Sequence, residues 1–143
     1  MDTIKTLNNL LTRNYDAEKG FDLAAESTDN AVLKDYFKKN SKMHYKFGHE
    51  LKEEIINHGG EIDKGSSLSG DLHRTWLNMK TAVSSNTDEA LLEECERGQT
   101  LAQNDYKNAV DEVSSQELTA KLANHKAEIV DVVAELKTLE MTV

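Results

Sequence analysis

The sequence predicts an all-α fold of four long helices packed as a bundle, and three observations carry that expectation. There is no proline and there are only seven glycines in 143 residues, against abundant Leu, Ala, Glu and Lys; such a chain favours long helices. Apolar residues recur at steps of three and four over four long stretches, the period of one helix face. Stop and start signals fall between those stretches.

The first stretch runs through Ile4, Leu7, Leu11, Asn14, Glu18, Phe21 and Ala25. Thr28-Asp29-Asn30 interrupts it and offers Asp29 as the next N-cap. The second runs through Leu33, Phe37, Asn40, His44, Phe47 and Leu51, with Ile55 close by, and Gly59-Gly60 ends it where a left-handed residue must follow the last turn. Residues 59–86 differ. Gly65-Ser66-Ser67 reads as loop, and Leu68, Leu72, Trp76, Met79 and Val83 form a narrow stripe, predicting a shorter helix on the outside of the bundle. A third long helix starts at Thr87, with Asp88 and Glu89 near its positive end, and carries Leu92, Cys95, Gln99, Ala102, Tyr106, Ala109 and Val113 on one face. Ser114 and Glu117 read as a capping box opening the fourth, whose seam is Leu118, Leu122, His125, Ile129, Val132, Leu136 and Leu139.

Tight turns join the first two helices and the last two, while residues 59–86 are long enough to travel the height of the bundle. This predicts a ferritin-like up-down-down-up four-helix bundle, one domain over residues 1–143, with the extra short helix in the crossover between the second and third long helices. A simple up-down bundle with an appended helix is the alternative. Glu18-Lys19-Gly20 followed by Ala24 resembles Glu96-Arg97-Gly98 followed by Ala102, and Glu50 and Glu128 each follow thirty-two residues later. Two repeated helical hairpins suit such a fold.

Charge limits the partners. With 17 Lys+Arg against 26 Asp+Glu, the net charge of -9 speaks against nucleic acid and anionic membranes, which both need a cationic face. One cysteine fits a reducing, cytoplasmic setting. No apolar run reaches the roughly 18 residues of a membrane span, and Met1-Asp2-Thr3 leads straight into an amphipathic pattern rather than a signal segment.

Function has to be sought in the seams, where a polar group costs energy unless it is paired or ligates a metal. Glu18, Asn40, His44 and His125 fall on seam registers, and Glu96, Glu128 and Asp131 flank them at similar height. The chemical reading is a carboxylate-bridged iron or manganese site built from Glu18, His44, Glu96, His125 and Glu128. The competing reading makes His125 a neutral core histidine bonded to one carboxylate, pairs Glu18 with a lysine, and gives Asn40 an interhelical hydrogen bond. The Glu-x-x-His pairs of a di-metal bundle are replaced by Glu50/Glu53 and Glu128/Asp131. His49-Glu50-Leu51-Lys52-Glu53 lacks the second histidine of a zinc-protease helix, and Cys95 lies in an apolar seam that would leave its thiol inert.

Tyr15-Asp16-Ala17-Glu18-Lys19-Gly20-Phe21, Leu72-His73-Arg74-Thr75-Trp76 and Leu92-Glu93-Glu94-Cys95-Glu96-Arg97-Gly98, in that order, resemble a bacterial ferritin-like four-helix-bundle family of unknown function, with Glu-Cys-Glu-Arg-Gly its most specific string. The resemblance implies the bundle fold and little chemistry. Gln99-Thr100 stands where an acidic pair usually follows the glycine, which weakens a metal site further. The expectation is a stress-associated or scaffold protein, leaning away from an enzyme, with a degenerate or absent di-metal site and no resident cofactor, associating as a homodimer. The enzyme-class alternative is an iron or manganese oxidase or peroxide-handling protein.

Overall fold

The computed structural model describes residues 3–63, 79–85 and 87–143, all helical apart from the turns and short connecting stretches. The long helices are α1 (Thr3–Ser27), α2 (Ala31–Asn57), α3 (Asp88–Glu112) and α4 (Gln116–Glu140), and residues 79–85 form a further helical segment before α3. The expected short helix is thus seen at its end, while Leu68, Leu72, His73, Arg74 and Trp76 lie outside the described residues.

Two caps differ from the expectation by one residue. Asn30, not Asp29, opens α2: its backbone is extended and its side chain accepts from the N–H groups of Val32 and Leu33 at 2.9 and 3.1 Å. Ser115, not Ser114, opens α4 by accepting from the Leu118 N–H, so the Ser114/Glu117 capping box does not form. In both cases two adjacent residues could cap. Thr28 occupies the α1–α2 turn, its hydroxyl donating to Asp88 at 2.7 Å and accepting from the Asn30 N–H. Thr87 caps α3 as expected, and Gly59, at φ 78°, takes the left-handed position after α2.

Side-chain pairs fix the helix directions. Thr28–Asp88, Arg13–Asp105 and Thr6–Glu112 descend along α1 as they ascend along α3, so these two run antiparallel. Tyr36–Glu135, Glu50–His125 and Glu54–Lys121 do the same for α2 and α4. After α2 the chain stays at the Asn8 end of α1, where Asn8 bonds Glu61 and Asp63. Residues 79–85 sit at the opposite end, Met79 and Ala82 packing with Phe21, Ala24 and Leu91.

The core has two apolar halves. One gathers Leu7, Leu11, Phe47, Leu51, Leu118, Leu122 and Ile129; the other gathers Phe21, Phe37, Leu92, Cys95, Val132 and Leu136. Each fully buried Leu, Ile or Phe contributes about 1.5–3 kcal/mol. A layer of polar side chains crosses the interior where the two halves meet.

Candidate functional site: a hydrogen-bonded relay through the core

That layer draws on all four helices. Gln99 Nε2 lies 2.8 Å from His44 Nε2, and His44 Nδ1 lies 2.7 Å from Asn14 Oδ1. Asn14 Nδ2 donates both to the Leu10 carbonyl at 2.8 Å and to the Tyr106 hydroxyl at 2.9 Å. Tyr106 Oη reaches His125 Nδ1 at 2.9 Å, and His125 Nε2 reaches Glu50 Oε1 at 2.7 Å. Asn14, His44, Gln99, Tyr106 and His125 are all buried, and only the Glu50 end meets solvent.

The partners give this chain a single direction. Leu10 offers a carbonyl, which can only accept, so it holds the Asn14 amide with nitrogen toward Leu10 and oxygen toward His44. His44 must then carry its proton on Nδ1 and accept at Nε2 from the Gln99 amide. At the other end a carboxylate accepts from His125 Nε2–H, leaving Nδ1 to accept the Tyr106 O–H. Donation therefore runs Gln99 to His44 to Asn14 to Tyr106 to His125 to Glu50. The Asn14 and Gln99 amides orient their neighbours but do not pass protons on, so the chain is an orienting network rather than a proton conduit.

Burial sets the charge states. Desolvation pushes His44 down to about 4. Burial also lowers His125, opposed by the hydrogen bond and charge of Glu50. Tyr106 is pushed up by burial and so stays a neutral hydroxyl. Aromatic rings hold the imidazoles in place: Phe47 stacks on His125 at 4.0 Å, and Phe21 stacks on His44 at 5.8 Å.

The five expected metal ligands separate. His44 and His125 join the relay, with both ring nitrogens of each already bonded. Glu18 is half-buried on α1 beside Asp22, Lys52 and Lys19, its carboxyl raised mainly by burial. Glu96 lies against Glu140, which burial and the Glu96 hydrogen bond and charge hold at about 7. Glu128 is exposed. Among the described residues no three His, Cys, Asp or Glu side chains gather as a metal would need. His125 does bond one carboxylate, and that carboxylate is Glu50. Cys95 is buried, its thiol pushed up by desolvation.

Asn14, Gln99 and Tyr106 stand in the sequence as seam positions, and their polar ends are the signal that identifies them. A seam amide or hydroxyl needs a partner, and two seam histidines supply partners.

Residues 2–112 match the model of a family described as a domain of unknown function, DUF2383. The chain belongs to that family. The matched part takes in α1, α2 and α3, and with them every relay residue of this DUF2383 member except His125. No curated protein matches the sequence. Among the described residues no helix is long and apolar enough to cross a membrane.

Proposed function

We propose that this protein is a ferritin-like bundle whose interior holds a structural hydrogen-bond relay at the level of a di-metal centre, and that it acts as a non-catalytic scaffold. One observation carries the reading: every nitrogen of His44 and His125 is already committed to a protein partner. A metal would have to displace a buried hydrogen bond for each imidazole ligand gained, and each displaced group costs about 1–3 kcal/mol when left unpaired. The antiparallel pairing of α1 with α3 and of α2 with α4 suits the up-down-down-up order.

Binding then falls to the outer surface. Lys38, Lys42, Tyr45, Lys46 and His49 share one exposed face of α2, a cationic stripe on a chain of net charge -9. Tyr45 is 64% exposed at its centre. Such a face suits an acidic partner, and a second copy of this acidic chain is one.

Anaerobic titration with ferrous or manganous ion, counting bound metal per chain, tests the reading. The expected result is no stoichiometric binding and no change in stability on chelation. Stoichiometric binding that disappears in Glu18→Ala would overturn it and favour the metal-binding alternative. Sedimentation at low and high salt tests the association, which should weaken as salt screens the stripe.

A further inference from the structure

The relay does not account for all the buried polar atoms near it. Beside its Gln99 end a cavity of about 20 Å³ opens between α1 and α3, lined by Arg13, Asp16, Ala17, Gln99 and the apolar Phe21 and Met79 among others. Three atoms of those lining residues are buried with no hydrogen-bond partner among the described residues: Arg13 Nη1, Asp16 Oδ2 and Gln99 Oε1. Arg13 is 5% exposed and Gln99 1%. Their other ends are committed, Arg13 Nε to Asp105 at 2.6 Å and Gln99 Nε2 to His44 at 2.8 Å, so neither side chain can turn away to find a partner without breaking a bond.

These atoms amount to one donor and two acceptors. A water molecule has the complementary set, one oxygen to accept from Arg13 and two hydrogens to give to Gln99 and Asp16. Three bonds are typical of a buried water, and the space exceeds the ~10–15 Å³ that one requires. We infer that the cavity is a binding site for a single long-lived water that bridges Arg13 Nη1, Asp16 Oδ2 and Gln99 Oε1. The water completes the Gln99 amide and holds its oxygen outward, which keeps its nitrogen on His44. The direction of the relay is thereby fixed at this end by solvent, as the Leu10 carbonyl fixes it in the middle. An anion would meet the Gln99 oxygen and the Asp16 carboxyl at short range, and an apolar guest would leave all three atoms unpaired.

Magnetic relaxation dispersion on the full chain counts waters that stay longer than tumbling, and the Ala17→Val variant fills the cavity. One such water is expected in the parent protein, with the count falling by one in Ala17→Val and the denaturation midpoint dropping with it. Filling a dry cavity has the opposite sign and raises the midpoint. A parent protein with no long-lived water, or an Ala17→Val variant with a raised midpoint, would overturn the site. Should Ala17→Val not fold, the parent's water count and a high-resolution crystal map at Gln99 Oε1 decide it alone.

Discussion

Glu50 and His125 meet across the bundle at 2.7 Å, a carboxylate one-third exposed accepting from an imidazole that is 3% exposed. Glu50 both bonds His125 and supplies the charge that opposes its depression by burial. Glu50→Gln keeps an oxygen to accept the Nε2–H and removes the charge. His125 should therefore titrate lower still in the variant, by NMR of its ring protons, with a stability loss of about 1 kcal/mol. An upward shift would contradict the pairing.

Tyr106 occupies the middle of the relay, accepting from Asn14 and donating to His125. Tyr106→Phe keeps the ring and strands one donor and one acceptor in the core. A loss of about 2–4 kcal/mol is expected by denaturant unfolding. Adding Asn14→Leu removes one of the stranded groups, so the double variant should lose less than the sum of the two single ones.

Acid should destabilise the fold over a defined interval. An unfolded histidine takes its proton near 6.5, while folded His44 resists until about 4. Between those values the unfolded state binds a proton that the folded state refuses, so stability falls as pH drops, by about 3 kcal/mol over the interval. His125, also lowered, acts in the same direction. Asp16 opposes them: burial raises it from 3.8 to about 6, so the folded chain keeps a proton that the unfolded chain has lost, and this term lowers stability as pH rises through that range. Partial exposure of Asp16 makes its term the smaller one. Denaturation midpoints from pH 7 to pH 4 should decline, more steeply in Asp16→Asn and less steeply in His44→Gln.

The two glycines after α2 fail for different reasons. A Cβ on Gly59 would meet nothing within 4 Å, but its φ of 78° strains any L side chain, for a cost of about 1 kcal/mol in Gly59→Ala. A Cβ on Gly60 would lie 2.6 Å from the Ile4 side chain. Thermal unfolding should therefore show Ile4→Ala recovering part of the loss in Gly60→Ala and none of that in Gly59→Ala.

Much of the bundle was legible because period and caps report local physics: the faces through Leu7–Leu11, Phe37–His44 and Leu118–Leu136 are the buried ones. The caps of α2 and α4 each lie one residue from the expected place because Asp29/Asn30 and Ser114/Ser115 both offer two adjacent capping side chains, between which no local pattern chooses. At the candidate site, spacing put His44 and His125 in the seams and found them a shared height. It could not show that Asn14, Tyr106 and Gln99 would take up their nitrogens, since that depends on side-chain reach between helices distant in sequence. Glu50 was hidden for the same reason: on α2 it flanks the seam, and only the approach of α4 makes it His125's partner.

The direction of the relay bears on how such a bundle could evolve. To open one corner of His125 for a guest ion, a mutation must sacrifice either the phenol or the carboxylate that now occupies it, and whichever neighbour is abandoned must be replaced in the same step. Single substitutions in this interior therefore cost stability before they free a ligand, whereas the exposed helix faces can change without touching the network.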